Sequence, residues 1–393
     1  MTVCILVTKG NLGGAQRYVE SLARALASRK LDTIVGAGEG DQLLPRLEAS
    51  GIKTVRFNGL GNSSVWADLR LVCWLGVRYL RREVDTFVFN STKLLPIAWL
   101  LSFLLPHSAV VFVCHGFPFI PGSRSAWARF KAALLFWMVG RIRNVVCVSS
   151  YVLSLIAERV SNRSNLILAR NTLEPFVARE LASAAMGGGG VHRFPNRRLL
   201  GRSLPVVPVV GAGPLRAVSL AELNANKGVD ALCDALGPHR DVLVGRFEWH
   251  IFGDGRDRAF VESRIAANRL NGIVVLHGFR DDARSLLPDF DVLLIPSRNE
   301  AFGLVALEAA ASGVFVFGAH VGGIPEAIPS DEHGCTFKRL DEMAEAISRM
   351  ASGRLRPLPP PILGSEYWER RHGEWLQIHF ELICPESYEN WAR

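Results

Sequence analysis

Apolar and amphipathic stretches alternate along most of the chain. Short apolar runs are followed by stretches in which apolar residues recur every three or four positions. In the first part the strand candidates are Val3–Thr8, Thr33–Ala37, Thr54–Phe57, Thr86–Asn90, Ala109–His115, Val145–Ser149 and Leu166–Ala169, with helical patterns at Ala15–Ser28, Trp66–Arg82, Ser125–Gly140 and Ser150–Val160. Strands that alternate with helices are joined by right-handed crossovers, so the pattern predicts a parallel sheet.

The alternation stops near residue 172 and resumes near residue 215. Residues 173–214 contain several prolines, several arginines and a run of glycines, which is typical of a linker or mobile loop. The later strand candidates are Arg216–Leu220, Glu248–Phe252, Ile273–His277, Asp291–Pro296 and Val314–Gly318. The pattern therefore predicts two α/β lobes, at 1–172 and 215–363. Residues 364–393 are expected to form a helix that packs back across the cleft between them.

The composition supports two folded domains and an anionic partner. Of the 393 residues 49% are hydrophobic, which is enough for two cores of ordinary size. The formal net charge of +8 favours nucleotide-sugars, nucleic acids or acidic lipid surfaces. Scattered cysteines, a first strand that is not a secretory signal, and an apolar run at 94–106 too short to span a membrane predict a cytoplasmic protein.

The densest group of motifs runs from residue 249 to residue 328. Two strand candidates end in glycine turns, at 253–255 and at 278. A third strand leads through a Pro-Ser pair to Glu300, and a helix with Glu308 in it follows at once. The group closes with Gly-Gly-Ile-Pro-Glu at 322–326.

These residues have the chemistry that a nucleotide-sugar needs. The helix that begins at Gly303 and Leu304 presents free N–H groups and a positive dipole end, which would hold a diphosphate. Glu308, about one turn later, can accept two hydrogen bonds from ribose hydroxyls. Glu300 can bind sugar hydroxyls or stabilise positive charge at the anomeric carbon. The alternative is that Glu300 is an ordinary loop acid and that Glu308 is a capping-turn or surface acid.

The chain resembles the family 4 retaining glycosyltransferases, which have the GT-B fold of two Rossmann-like, doubly wound parallel-sheet lobes facing a central cleft. Glu300 and Glu308 match the family's Glu-x7-Glu signature. Further matches are the glycine loop 10–14, His115-Gly116, Asn226-Lys227-Gly228 and the start of a terminal crossover helix at Tyr367-Trp368-Glu369. The resemblance implies transfer of a hexosyl unit from a nucleoside-diphosphate sugar to a hydroxyl acceptor, with retention of the anomeric configuration.

Lys227 is the predicted partner of the leaving diphosphate. A fixed cation stabilises the negative charge that builds on the leaving group without a metal ion, so we expect no metal and no cofactor. The family usually has an arginine five residues earlier, where this chain has Glu222. A carboxylate there would repel a diphosphate. Either another cation, such as Arg298 or Arg256, replaces the missing one, or catalysis is weakened.

The resemblance extends to residues whose motifs are weak alone. Gly13 and Gly14, between the first strand and helix, allow close approach of a phosphate or acceptor. His115 ends a buried strand and is expected to contact the donor sugar, although a lone histidine there is most often structural. Gly278 and Phe279 are placed near the nucleobase, and Phe302 joins Gly303 and Leu304 in the donor site.

Residues 86–157 contain no aspartate or glutamate. Their basic residues include Lys93, Arg124, Arg129, Lys131, Arg141 and Arg143. Cations alternate with tryptophan and phenylalanine at helical spacing within 124–143, which suits a helix at an anionic membrane surface. A core helix with solvated cations is the alternative. Membrane contact would suit a lipid-linked or glycan acceptor in surface polysaccharide or glycolipid synthesis, on the inner face of the membrane.

Two other functions stay open at this point. A nucleotide-sugar epimerase with a similar two-lobed fold would release product without an acceptor. A non-catalytic partner subunit, degenerate at Glu222, would bind the nucleotide-sugar without turnover. No nucleic-acid partner is expected, because the basic residues are not accompanied by a recognisable binding module.

Overall fold

The computed structural model describes residues 1–11, 13–60, 65–105, 109–116, 126–186, 197–199, 202–204, 206–208 and 213–384. The chain forms two compact units. Unit 1 comprises Met1–Asn171 together with Arg371–Arg393, and unit 2 comprises Thr172–Arg370.

Unit 1 is a seven-stranded parallel sheet with helices between its strands. The strands are β1 (Thr2–Lys9), β2 (Asp32–Glu39), β3 (Lys53–Arg56), β4 (Thr86–Phe89), β5 (Val110–Cys114), β6 (Asn144–Cys147) and β7 (Leu166–Leu168). The helices are α1 (Gly14–Ser28), α2 (Leu43–Glu48), α3 (Val65–Leu80), α4 (Leu95–Leu104), α5 (Ala126–Val139) and α6 (Ser150–Ala157). The strand order β3-β2-β1-β4-β5-β6-β7 places the reversal between β1 and β4. This is the doubly wound arrangement predicted from the sequence.

The central strands of unit 1 are apolar along their whole length because helices cover both faces of the sheet. Residues 3–7 of β1 are at most 1% exposed, and all five residues of β5 are buried. Continuous apolar runs of this kind are expected for parallel strands. Strands β1 and β2 pair in an unbroken register, from Thr2 opposite Asp32 to Val7 opposite Ala37.

Unit 2 repeats the same design. Its strands are β8 (Arg197–Leu199), β9 (Arg202–Leu204), β10 (Val206–Pro208), β11 (Leu215–Leu220), β12 (Phe247–Phe252), β13 (Val274–Gly278), β14 (Val292–Ile295), β15 (Phe315–Ala319), β16 (Gly334–Phe337) and β17 (Leu355–Pro357). Its helices are α7 (Pro175–Met186), α8 (Val229–Leu236), α9 (Arg240–Leu243), α10 (Arg258–Ala267), α11 (Leu304–Ala311), α12 (Ile324–Ala327), α13 (Leu340–Ser352) and the first residues of α14 (Ser365–Ile383).

The main sheet of unit 2 has six parallel strands in the order β13-β12-β11-β14-β15-β16. The reversal falls between β11 and β14. Open α/β sheets bind ligands beside such a reversal, at the carboxyl ends of the strands. The loops that follow β11 and β14 are therefore the first place to look for a site in this unit.

The segment 173–214 differs from the predicted linker. Residues 175–186 form helix α7, and Leu173, Ala178 and Leu181 are at most 5% exposed in the core of unit 2. The prolines and arginines that indicate a linker are compatible with a helix here, because Pro175 occupies its first position, where proline is favoured. The glycines 187–190 lie outside the described residues. The other predicted domain bounds stay predictions.

Candidate functional site

A lysine and a glutamate meet at the strand reversal of unit 2. Lys227 follows β11 and Glu300 follows β14, and Lys227 Nζ lies 2.6 Å from Glu300 Oε2. The two loops are also joined through their backbones, because Arg298 N donates to Asn226 O at 2.7 Å. Both side chains keep some exposure, 28% for Lys227 and 17% for Glu300. The structure therefore brings together two residues that the sequence places 73 positions apart.

The backbone of Glu300 is fixed by the Gly-Gly motif of residues 322–323. Gly323 N donates to Glu300 O at 3.0 Å. Gly322 has φ +58°, and a side chain there would overlap the Glu300 carbonyl oxygen. Only glycine meets both conditions without strain. The motif is thus a support for the position of the Glu300 carboxylate.

Helix α11 begins directly after this loop. Gly303, with φ +91°, precedes its first residue, and no side chain among the described residues caps the helix start. Phe302 is only 2% exposed and anchors the turn in the core, whereas Leu304 is half-buried. A helix start with free N–H groups favours a bound anion. Lys227, Glu300 and this helix start all follow the carboxyl ends of β11 and β14.

Glu308 is held by an arginine that the sequence did not single out. Its carboxylate is 4% exposed and accepts a hydrogen bond from Arg284 Nη2. Arg284 is itself largely buried, and its Nε has no hydrogen-bond partner among the described residues. A buried carboxylate needs such a partner. The burial of Glu308 contradicts the alternative that it is a surface acid, and its contact with ribose stays a prediction.

The cations proposed to replace the missing arginine have different surroundings. Arg298 makes two hydrogen bonds to Asp230, at 2.8 and 2.7 Å, and one to Ala225 O. Burial alone would raise the pKa of Asp230, but its hydrogen bonds with Arg298 and the guanidinium charge lower it overall. Arg298 is therefore already neutralised. The side chain of Arg256 is 80% exposed and lies 3.8 Å from Asp257, so it is the freer of the two. Glu222 is exposed after β11.

The predicted nucleobase residues lie on the neighbouring strand. Gly278 ends β13, and its carbonyl oxygen accepts a hydrogen bond from Gly253 N at 2.8 Å. Phe279 is 52% exposed directly after it. An exposed phenylalanine beside a strand end offers a surface on which a base can stack. The role itself stays a prediction.

In unit 1 the predicted glycine loop follows β1. Gly13 precedes helix α1, which begins at Gly14, and Leu12 of the quoted motif lies outside the described residues. No side-chain hydrogen bond caps this start in the part of the chain that the structure describes. Gln16 instead turns back, and its Nε2 donates to Lys9 O at 3.1 Å. The loop is thus joined to the end of the first strand.

His115 belongs to a cluster of polar aromatic residues in unit 1. Its Nε2 lies 3.3 Å from Asn90 Oδ1, and its ring meets that of Tyr18 edge to face at 4.8 Å. Burial, with a smaller contribution from His379, lowers the pKa of His115 to about 4 although part of the residue is exposed. The ring is therefore neutral near pH 7. Because an amide oxygen only accepts, Nε2 carries its proton.

The terminal helix α14 supplies the other half of this cluster. The His379 ring donates from Nδ1 to Trp375 O at 2.6 Å, which leaves Nε2 as an acceptor for the Tyr18 hydroxyl. Burial lowers the pKa of His379 to about 4 and raises that of Tyr18. His379 and Tyr18 are thus neutral partners. No sequence motif predicts this pairing, because 361 positions separate the two residues.

The one Asp-x-Asp triplet of the chain, Asp289-Phe290-Asp291, has structural contacts. Asp291 Oδ2 accepts a hydrogen bond from Arg216 N at 2.7 Å and lies 3.1 Å from Arg356 Nε. Asp289 O accepts from the Arg216 side chain at 2.9 Å. Within the described ranges, no three His, Cys, Asp or Glu residues form a metal-binding group. The expectation of metal independence stays a prediction.

Comparisons with known proteins place both units in the same family. Residues 12–168 match the model "Glycosyltransferase Family 4", and residues 214–352 match "Glycosyl transferases group 1". The second match contains Lys227, Glu300 and Glu308. The chain belongs to the family 4 glycosyltransferases. The predicted resemblance is confirmed.

Related proteins are similar over parts of their length. Residues of this chain are 32% identical over 145 positions to the "Phosphatidylinositol N-acetylglucosaminyltransferase gpi3 subunit" of Schizosaccharomyces pombe, covering 36% of this chain and 31% of that protein. They are 46% identical over 104 positions to the "D-inositol 3-phosphate glycosyltransferase" of Saccharomonospora viridis, covering 24% of this chain and 23% of the relative. The chain thus matches about a third or less of each.

Solved structures agree with the fold over the whole chain. The crystal structure of Anabaena Alr3699/HepE in complex with UDP and glucose superposes with a TM-score of 0.71 at 19% identity, covering 98% of this chain and 100% of the other. The predicted GT-B fold class, with two parallel-sheet α/β units, is confirmed. Among the described helices, none is both long enough and apolar enough to cross a membrane.

Proposed function

We propose that this family 4 glycosyltransferase moves a hexosyl unit from a nucleoside-diphosphate sugar to a hydroxyl acceptor, with retention of the anomeric configuration. The observation that carries the proposal is the Lys227–Glu300 pair beside the free start of helix α11. A cation, a carboxylate and unpaired N–H groups then adjoin one another at the strand reversal of unit 2. These groups match the two parts of the donor, the diphosphate that leaves and the sugar that is transferred.

Lys227 and Glu300 form an ion pair with each other until the donor binds, and the donor then contacts each of them separately. Without a donor each neutralises the other at 2.6 Å. A diphosphate next to Lys227 takes over the cation and leaves the Glu300 carboxylate for the sugar. Its charge then stabilises the positive charge that develops at the anomeric carbon as the nucleoside diphosphate leaves. Binding of UDP and glucose to Anabaena HepE, which has a similar fold, supports a donor of this class.

Helix α11 and Glu308 serve the nucleotide part of the donor. The first N–H groups of the helix hold a phosphate, and Glu308 accepts hydrogen bonds from the ribose. Arg284 donates a hydrogen bond to Glu308 and orients its carboxylate in its buried position. The predicted contact of His115 with the donor sugar belongs to the same proposal. A neutral ring suits a sugar hydroxyl, since Nδ1 carries no proton when Nε2 donates to Asn90 and can accept a hydrogen bond from that hydroxyl.

The proposed acceptor is carried by a lipid. Helix α5 buries Ala132, Phe136 and Val139, whereas Trp127 is 72% exposed and Phe130 is 58% exposed. Most of its large side chains are therefore not part of the core, contrary to the core-helix alternative. Exposed aromatic residues beside Arg129 and Lys131 suit an anionic membrane surface. Arg124, at the start of the predicted basic stretch, lies outside the described residues.

A neighbouring helix extends this aromatic surface. Phe103 and Leu104 at the end of α4 are 62% and 66% exposed, and Trp99 of α4 meets Trp137 of α5 with ring centroids 5.4 Å apart. Exposed apolar patches of this kind mark interaction sites. The similarity to a phosphatidylinositol N-acetylglucosaminyltransferase subunit also supports a lipid acceptor at a membrane.

The test is an assay of donor turnover. Purified protein is given a panel of nucleotide-sugars with and without a bacterial lipid extract, in the presence and absence of EDTA. We expect release of nucleoside diphosphate that depends on the lipid, survives EDTA, and gives a product with the donor's anomeric configuration by NMR. Epimerised donor, or binding without turnover, would contradict the proposal and favour the epimerase or the non-catalytic subunit.

A further inference from the structure

A groove runs along one face of helix α5, apart from the residues assigned to the donor. Its volume is about 710 Å³, a usual size for a small-molecule site. Arg129 and Phe136 of α5 line it, together with Arg141 just after this helix. Residues 159–162, which follow helix α6, also line the groove.

The groove reaches the amino edge of the sheet in unit 1. Arg141 lies three residues before β6, and Val160 lies in the connection that leads to β7. Gly13 and His115, in contrast, follow the carboxyl ends of β1 and β5. In a parallel sheet these are opposite edges. The groove is therefore a separate feature of unit 1.

Three guanidinium groups line an apolar floor. Ala132, Phe136 and Val160 on the floor are at most 8% exposed. The Arg141 guanidinium lies 3.8 Å from the centroid of the Trp137 ring. Arg141 Nη1 also donates to Trp137 O at 3.4 Å, and the other N–H groups of the stacked guanidinium can donate to an anion.

Little negative charge lies beside the arginines of the groove. Arg159 lies 5.5 Å from the Phe136 ring centroid and donates hydrogen bonds to Leu155 O at 2.7 Å and to Glu158 Oε2 at 3.1 Å. Glu158 is 70% exposed, so water screens this pair. Within the residues that the structure describes, no ion-pair partner is found for Arg129 or Arg141. The groove therefore has a net positive charge.

We propose that this groove binds the phosphate of an anionic phospholipid headgroup. Arginines are well suited to phosphate oxygens, and an apolar floor suits the glyceride part of the same molecule. The exposed residues Trp127 and Phe130 on the same helix place the groove beside the aromatic surface described above. The inference rests on the proposed membrane contact of α5 and adds that this contact is selective for a headgroup phosphate.

Vesicle flotation with the full chain tests the proposal. Wild-type protein is mixed with vesicles of phosphatidylcholine alone or with added phosphatidylglycerol. The double variant Arg141→Gln/Arg159→Gln should lose about tenfold to thirtyfold of its affinity for the phosphatidylglycerol vesicles. The matched control is Arg143→Gln/Arg163→Gln, which removes the same charge from exposed arginines that do not line the groove. An equal loss in both variants would overturn the proposal, because net charge alone would explain it.

A soluble ligand separates a lipid site from a site for a free phosphate ester. Equilibrium dialysis measures binding of glycerol 1-phosphate to the wild type. We expect binding at least about a hundredfold weaker than binding to vesicles, because the apolar contacts of the lipid are missing. Equally tight binding would assign the groove to a soluble phosphate and overturn the lipid proposal.

Two further measurements distinguish this failure from failure of the proposed function. Trp127→Ser/Phe130→Ser should lose binding to both kinds of vesicle if α5 meets the membrane at all. Donor binding without vesicles, measured by calorimetric titration, should be unchanged in the arginine variants. The aromatic variant could lose vesicle binding as expected while the groove variant binds phosphatidylglycerol vesicles as tightly as its matched control. That result would refute the headgroup site but not the membrane contact of α5.

Discussion

The carboxyl edges of the two main sheets have different chemistry although six strands follow the same order in both. In unit 2 this region carries ion pairs, Lys227 with Glu300 and Arg284 with Glu308. In unit 1 the residues that we describe there, His115 and Tyr18, interact through neutral hydrogen bonds and ring contacts. Topology sets where a ligand can bind, whereas the side chains set which ligand it is. A charged edge suits a diphosphate, and a neutral edge suits hydroxyl groups.

The largest effect should follow loss of the Glu300 charge. We expect Glu300→Gln to lower the transfer rate about 10²- to 10³-fold, because positive charge at the anomeric carbon is no longer stabilised. Single-turnover kinetics with a saturating donor measures this rate. The melting temperature is the control, since the amide is close to the carboxylate in shape. A variant with full activity would show that Glu300 is not catalytic.

A smaller effect should follow from the buried pair of unit 2. Glu308→Gln should weaken donor binding about tenfold and lower the free energy of unfolding by about 2 kcal/mol, because Arg284 is left largely buried without its counter-charge. Arg284→Met combined with Glu308→Gln should recover stability but not donor affinity. Calorimetric titration and denaturant unfolding give the two quantities. Recovery of both would show that Glu308 has only a structural role.

Restoring the family's arginine is the next test. If the position of Glu222 faces the diphosphate, Glu222→Arg should raise donor affinity about threefold to tenfold, because a repulsive charge becomes an attractive one. Arg256→Gln in the wild-type background should lower affinity if Arg256 replaces the missing cation. Unchanged affinity in both variants would place these side chains outside the reach of the phosphates.

We expect the smallest effect from pH, which should change the stability of the fold more than the transfer rate. His115, His372 and His379 each have a pKa near 4, because burial opposes their charged forms. The unfolded chain, with ordinary histidine pKa values near 6.5, binds more protons between these limits. The free energy of unfolding should therefore be highest above pH 6.5 and fall as the pH drops toward 4.

Thermal unfolding across this range checks the expectation. His379→Gln should make the decline shallower, since one histidine no longer titrates. Its rate of transfer between pH 6 and pH 8 should keep the flat profile of the wild type, because His115 stays neutral throughout. A slope that is the same in His379→Gln and the wild type would contradict the pKa assigned to His379.

The sequence was sufficient for the fold, and it singled out the residues of the candidate site, whose roles stay predictions. Long alternating patterns predict strands and helices reliably because each carries its own periodicity. Glu300 and Glu308 were recognisable because they lie close together in one group of motifs, whereas Lys227, 73 positions before Glu300, was singled out by the resemblance of its own motif to the family. Strand β16 was missed, since Gly334–Phe337 is short and begins with glycine.

The partners of these residues were not predictable in the same way. Arg284 and Asp230 lie in ordinary polar stretches, and only the folded chain shows that they pair with Glu308 and Arg298 of the candidate site. The same holds for His379, which meets Tyr18 from the far end of the chain. Periodicity reports which face of an element is buried but not which distant side chain it meets.

Helix α7 has a consequence for the order in which unit 2 forms. Leu173, Ala178 and Leu181 pack in a core that also contains Leu307 of α11. During synthesis α7 leaves the ribosome before β11 to β14, and its packing against α11 can form only after α11 has followed. Contacts between distant parts of a chain form slowly and leave apolar surface exposed meanwhile. Unit 2 should therefore fold late, and chaperones that bind exposed apolar helices should recognise nascent chains that end between α7 and α11.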